Sequence, residues 1–170
     1  MCPYCGAAAC PVGGRLVLVG HGLVERQVRG PTSATGKPDY VVLRLRRYRC
    51  RACRAILMVG PRGLIRGRWY SAGAIAVAFA VYARGKSSVR ARSRVSPSTA
   101  VGSSAHERWI TVVRWIDAAR NGQLFALAGL GELARRQVAK QVVLALAGRA
   151  GRRLGEDLPS AAFVGAAIAA

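Results

Sequence analysis

Cys2-Pro-Tyr-Cys5-Gly6 and Cys50-Arg-Ala-Cys53-Arg54 are the stretches whose reading decides the fold. Each holds two cysteines separated by two residues, and 44 residues lie between Cys5 and Cys50. A CxxC turn lets two thiolates meet one tetrahedral Zn²⁺ at about 2.3 Å, with backbone N–H groups of the turn bonded to sulfur. Proline after the first cysteine and glycine after the second suit the tight turn of the first pair. Two such knuckles at strand ends make a closed structural site, so Cys2, Cys5, Cys50 and Cys53 are the expected ligands of one zinc ion in a zinc ribbon. An iron–sulfur cluster uses the same thiolates. A thioredoxin-like redox pair requires a βαβ context that is missing here. The spacer exceeds the usual span of roughly 15–20 residues, but loop closure costs only logarithmically more as a loop lengthens. Cys10 reads as a free thiol, with replacement of Cys2 in the site as the alternative. His21 reads as a turn residue and His106 as a helix-start residue rather than as ligands.

Between the knuckles the pattern is that of short strands. Leu16–Val19 is followed by the turn signal Gly20-His21-Gly22, and Val24–Val28 forms a second expected strand. Gly30–Pro38 is a Gly/Pro/Ser/Thr insert expected to be disordered. Val41–Arg49 alternates Val41, Leu43 and Leu45 against Arg44 and Arg46, the period of a half-buried strand.

After about residue 68 the period becomes helical. Ser71 is placed to cap a helix that carries Ile75, Ala78, Phe79 and Tyr82 on one stripe and Val77 and Val81 opposite, ending at Gly85. Apolar nearly all round, it should be buried. A short basic element, Ser87–Val95, ends at Ser96-Pro97. A longer helix is expected over His106–Arg120, with Trp109, Val112, Val113, Ile116 and Ala119 on one face, stopped by Gly122. Leu130–Ala147 reads as an amphipathic basic helix, and the small apolar tail Leu158–Ala170 has no evident partner. The expected fold class is α+β: a small antiparallel zinc ribbon (1–68), a mainly α-helical helix-turn-helix-like domain (69–125), and a basic helical C-terminal segment (126–170).

Composition points to a polyanionic partner. With 27 Lys+Arg against 7 Asp+Glu the net charge is +20, and all but Lys37, Lys86 and Lys140 of the basic residues are arginines. Guanidinium forks suit phosphate and guanine edges. High-GC coding accounts for part of the arginine preference but not for the scarcity of acids. A hydrophobic fraction of 52% is ample for a core, which excludes a chain disordered throughout. The start Met-Cys-Pro-Tyr-Cys lacks the features of a secretory signal, and no apolar run reaches the roughly 20 residues of a bilayer span. A cytoplasmic, nucleoid-associated location is expected.

A buried first helix, a short second element and a tryptophan-anchored third follow the order of a helix-turn-helix module, whose third helix enters the major groove. The expected nucleic-acid contacts are Arg44, Arg46, Arg47 and Arg49 on the basic strand, Arg90, Arg92 and Arg94 on the short element, and Arg108, Thr111 and Arg114 on the third helix, with Asn121 beyond them.

The chain resembles the N-terminal region of bacterial insertion-sequence transposases and their short zinc-ribbon relatives of unassigned function. The residues that carry the likeness are Cys-Pro-Tyr-Cys-Gly at 2–6, Arg-Tyr-Arg-Cys-Arg-Ala-Cys at 47–53, Arg-Trp-Tyr-Ser-Ala-Gly-Ala-Ile-Ala at 68–76, Arg-Val-Ser-Pro at 94–97 and Arg-Trp-Ile-Thr-Val-Val-Arg-Trp at 108–115. It covers residues 1–125 and implies that ribbon and helices bind double-stranded DNA while a separate downstream domain cuts it. Cutting requires clustered carboxylates around two metal ions. The acidic residues are only Glu25, Asp39, Glu107, Asp117, Glu132, Glu156 and Asp157, in no such pattern, and neither GxxxxGK[ST] nor GxGxxG occurs. The chain is therefore expected to be a non-enzymatic DNA-binding protein without a small-molecule substrate. RNA binding is the alternative, and a membrane-surface or protein-interaction role for the Leu130–Arg153 region, through Leu133, Val138, Val142 and Leu146 against Arg135, Arg136 and Lys140, is a third reading.

Overall fold

A computed structural model describes residues 1–97, 108–151 and 156–170. They form two compact units, one of Met1–Gln27 with Val42–Pro61, the other of Val28–Val41 with Arg62–Ala170. The class is α+β: a three-stranded antiparallel sheet and five helices. Residues 69–125 and 126–170 lie in the same unit.

The sheet has the order β1 (Leu18–Arg29), β2 (Tyr40–Cys50), β3 (Ile56–Val59). β3 pairs antiparallel with β2, Arg46 opposite Val59 and Tyr48 opposite Leu57. The expected turn at Gly20-His21-Gly22 is absent, and one strand of 12 residues runs through it. Gly22 takes φ 80°, so the strand bends there without ending. A Cβ on Gly20 or Gly22 would lie 3.8 and 3.7 Å from the guanidinium nitrogens of Arg46 and Arg47. A side chain at either position would thus make only ordinary contact with these arginines, and it is the positive φ of Gly22 that calls for glycine.

The Gly30–Pro38 insert, expected to be disordered, is ordered within the second unit. Ala34 is buried in the core, the Gly30 N–H donates to the Asp39 carbonyl at 2.8 Å, and Arg94 donates to the Ala34 carbonyl at 3.4 Å. Gly30, at φ 126°, lies where a Cβ would collide with that of Ala74. Both its positive φ and its close approach to the helix call for glycine here.

The helical unit is built around α1 (Ala72–Ala83), which packs against α2 (Ser88–Val95), α3 (Ile110–Arg120), α4 (Arg135–Arg149) and α5 (Leu158–Ala169). Ser71 accepts from the Ala74 N–H at 3.1 Å, satisfying one orphan donor of the first turn. Residues 72–80 are all buried, as a helix apolar on every side must be. Tyr70, Trp109 and Trp115 form an edge-to-face cluster with centroids 5.0–5.9 Å apart, and the Tyr70 hydroxyl donates to Ser96 Oγ at 3.0 Å.

α3 begins at Ile110, later than expected. Trp109 is extended, its N–H held by Ser88 Oγ at 3.1 Å and its ring committed to the aromatic cluster. His106 and Glu107 lie outside the described residues. Trp115 and Ala118 join Val112, Val113, Ile116 and Ala119 in the core, so the buried arc of α3 is wider than its simplest stripe. α4 starts at Arg135 rather than at Leu130, and its apolar face is covered, with Val138, Val142 and Leu146 buried.

The tail without an evident partner is a buried fifth helix. Asp157 caps it by accepting from the Ser160 N–H at 3.3 Å, and hydrogen bonding by the Ser160 side chain, with its backbone N–H second, holds the Asp157 carboxyl below its usual value against burial. α5 packs on α1 and α4 through Ala161, Ala162, Gly165 and Ala166. A Cβ at Gly165 would overlap the carbonyl oxygen of Leu146, and one at Gly73 would lie 2.6 Å from the Phe163 ring. Small residues let the backbones approach and bury area that a hydropathy pattern does not reveal.

Gly165→Ala should therefore destabilise the helical unit by about 2 kcal/mol through overpacking, despite the better helix propensity of alanine. Gly148→Ala, in α4 with nothing within 4 Å of the new Cβ, should stabilise by about 0.5 kcal/mol. Thermal unfolding followed by far-ultraviolet circular dichroism checks both; equal shifts of the same sign would contradict the packing.

Candidate metal centre

The four expected cysteines converge. Cys2, Cys5, Cys50 and Cys53 place their Sγ atoms within 4.8 Å of one another. Cys2 and Cys53 stand 3.8 Å apart, as do Cys5 and Cys50. A tetrahedron of sulfurs around an ion at about 2.3 Å has edges of about 3.8 Å, so the cage fits one ion. It is too small for a multi-iron cluster, which removes that alternative. All five cysteines are free of disulfides, and Cys10 lies exposed outside the cage.

The two knuckles repeat one geometry. The Cys2 N–H donates to the Ala7 carbonyl at 2.8 Å, and the Cys50 N–H donates to the Ala55 carbonyl at 2.9 Å. Immediately after each second cysteine the backbone is left-handed, with Gly6 at φ 72° and Arg54 at φ 62°. The first cysteine of each pair is buried and the second exposed. β2 delivers Cys50 at its end and the tight link to β3 carries Cys53. The N-terminal knuckle is tied in by the Val17 N–H donating to the Ala9 carbonyl at 2.9 Å and the Arg51 N–H to the Val17 carbonyl at 2.8 Å.

Electrostatics favour a cation. The backbone N–H of Tyr4, against burial and aided by Cys5 and Cys50, draws the Cys2 thiol down to about 7. At Cys5 the Ala7 N–H acts in the same lowering direction. It is outweighed by Cys53, burial, Cys2 and Cys50, which push this thiol up to about 12. The two shifts run in opposite directions because thiolates this close repel. A divalent ion relieves that repulsion.

The metal ligands also stand in for a core. Within the cysteine-bearing unit the buried apolar residues are Cys2, Leu45 and Cys50, while Leu23, Val42, Ile56, Met58 and Val59 are exposed. A unit this small and this poorly covered requires a staple.

The expected arginine contacts fall on both units. On β2, Arg44, Arg46 and Arg49 are exposed, and Arg47 is half-buried with its Nε enclosed and unbonded. Strand alternation sends Arg44 and Arg46 to one face and Arg47 and Arg49 to the other, so the four do not form one patch. On the helical unit Arg90, Arg108 and Arg114 are exposed and Thr111 is half-buried. Asn121 is exposed as the α3 C-cap. Arg92 is buried at 7% exposure and Arg94 is bonded to Ala34, which removes Arg92 and restrains Arg94 as phosphate contacts; an alternating basic sequence does not reveal which arginines turn inward. Arg108 precedes α3 rather than riding on it. Sequence reading did not single out Ala7 and Ala55, whose carbonyls close the knuckles.

Binding one metal ion must expel the proton that Cys5 retains above neutrality, so affinity should rise about tenfold per pH unit for each proton released. Calorimetric titration with zinc in buffers of different ionisation enthalpy counts those protons; pH-independent affinity would contradict the cage. Gly6→Ala should cost about 1 kcal/mol in the metal-loaded protein and Arg54→Gly should be neutral or stabilising, since only glycine adopts φ near +60° without penalty. Compared with known protein families, curated proteins and solved structures, the chain matches none.

Proposed function

We propose that this is a zinc-dependent DNA-binding protein in which a structural Zn²⁺, held by Cys2, Cys5, Cys50 and Cys53, fixes a zinc ribbon that grips duplex phosphates. One observation carries the reading: β2 bears exposed Arg44, Arg46 and Arg49 and ends in the ligand Cys50. Metal and phosphate-binding side chains thus share one strand in a unit with almost no other core. The four sulfurs leave no open coordination position, so the ion's role is structural rather than Lewis-acid.

The helical unit supplies a second grip. α1, α2 and α3 pack mutually, the arrangement a helix-turn-helix reading requires, and α3 exposes Arg114. Three of the acids serve structure. Asp117 pairs with Arg135 at 3.2 Å and with Arg120 at 3.6 Å, Asp157 caps α5, and Asp39 accepts from the Tyr40 N–H at 2.7 Å. The reading is of a transposase-like DNA-binding region that lacks a nuclease domain and works at the nucleoid. RNA is the competing nucleic acid. A membrane-surface role for α4 has less support, because Val138, Val142 and Leu146 are buried; no helix among the described residues is long and apolar enough to cross a membrane.

Zinc-loaded protein should bind duplex DNA with an affinity that falls about 10³-fold or more between about 50 and 200 mM salt if six or more phosphates are contacted. Arg114→Ala should weaken binding more than Arg15→Ala, and removal of zinc by a chelator should abolish the ribbon's contribution. Gel-shift and anisotropy titrations with metal analysis test this; an affinity flat across that salt range, or a folded chain without metal, would overturn it.

A further inference from the structure

Trp69 is an exposed aromatic, and the backbone explains why it points outward. Arg29 bridges to Tyr70 in a short parallel pairing. Its N–H donates to the Trp69 carbonyl at 2.7 Å, and its carbonyl accepts from the Ser71 N–H at 3.1 Å. Residues on an extended segment alternate direction. Tyr70 turns into the core, with its ring 5.0 Å from that of Trp115, and Trp69 is left 60% exposed. The Arg29 guanidinium covers one indole face, its Cζ 5.3 Å from the ring centroid. Arginine behind and backbone bonds beneath hold the ring in place while its other face stays open.

The surroundings select the kind of ligand. The segment Arg62–Tyr70 contains Arg62, Arg66 and Arg68 and no acid, and Arg62 and Arg66 are exposed. A ring backed by the Arg29 guanidinium, in a segment with three arginines and no acid, suits a polyanionic ligand. It has what a nucleotide requires, a flat π-surface for the base and cations for the phosphate on either side. Bases stacked within a duplex do not offer a free face, so the ligand must present an unpaired one.

We infer that Trp69, backed by Arg29, is a stacking platform for an unpaired nucleobase, with Arg62, an exposed cation of the same segment, as the candidate contact for an adjoining phosphate. This rests on the nucleic-acid-binding reading and deepens it: the preferred ligand carries a single-stranded stretch, whether of DNA or RNA.

The tryptophans make the test specific. Trp109 and Trp115 are 6% and 2% exposed, so the long-wavelength indole emission belongs to Trp69. Full-length zinc-loaded protein is titrated with oligo(dT), oligo(rU), an abasic deoxyribose-phosphate strand of equal length and a blunt duplex. Oligo(dT) or oligo(rU) should quench that emission and bind more tightly than the abasic strand, and whichever quenches more identifies the source of the base. Trp69→Ala should lower oligonucleotide affinity by about 5- to 150-fold, the range for one stacked base, and leave abasic affinity unchanged. Trp69→Phe should recover most of the loss. Equal binding of base-bearing and abasic strands without quenching, alongside retained duplex binding, would overturn the platform and spare the broader reading. Failure to bind any of the four would overturn both.

Discussion

Four sulfurs within 4.8 Å of one another impose the constraint on which the cysteine-bearing unit depends. Thiolates at that distance repel unless protons or a cation intervene, and the shifts of Cys2 and Cys5 in opposite directions express that conflict. The knuckle geometry is arranged around it: an N–H of each cysteine-led turn closes on a carbonyl five residues ahead, and a left-handed residue follows each second cysteine. Because Leu45 is the one buried apolar residue of this unit besides the ligands, burial contributes little there. Binding energy is then folding energy.

The helical unit solves the opposite problem. α1 is apolar on every side, so it is stable only where four other helices cover it. α5 completes that cover with alanine and glycine rather than with large side chains, trading side-chain volume for close backbone approach at Gly165 and Gly73. Dispersion and excluded water, summed over many short contacts, replace a few large ones. Arginines take part in the architecture too. Arg120 donates to the Leu133 carbonyl at 2.8 Å and Arg149 to the Phe125 carbonyl at 3.3 Å, both fastening the irregular link between α3 and α4. A charge of +20 therefore overstates the number of cations available to a partner.

What remains exposed still has an order. β2 carries exposed Arg44, Arg46 and Arg49 on the strand that ends at the ligand Cys50, so in the proposed function the ribbon's grip depends on a filled cage. The stacking proposed for Trp69 would respond less to salt than arginine–phosphate contacts, which weaken as counterions compete.

Much of this was written in the chain. The CxxC pairs specify their own cage, since the spacing of each pair satisfies a local geometric demand. Ser71, Gly85 and Gly122 bound helices by equally local rules. The tertiary structure decided three matters that local rules do not reach. Gly20 and Gly22 signal a turn until pairing within the sheet carries one strand through them. The Leu158–Ala170 tail looks partnerless until the backbone of α4 lies against Gly165. Arg92 and Arg94 read as surface cations, and Trp69 as one aromatic among others, until packing assigns each an inside or an outside. Periodicity and spacing encode what a segment does with its own neighbours. Which surface a residue meets is settled by segments far away in the chain.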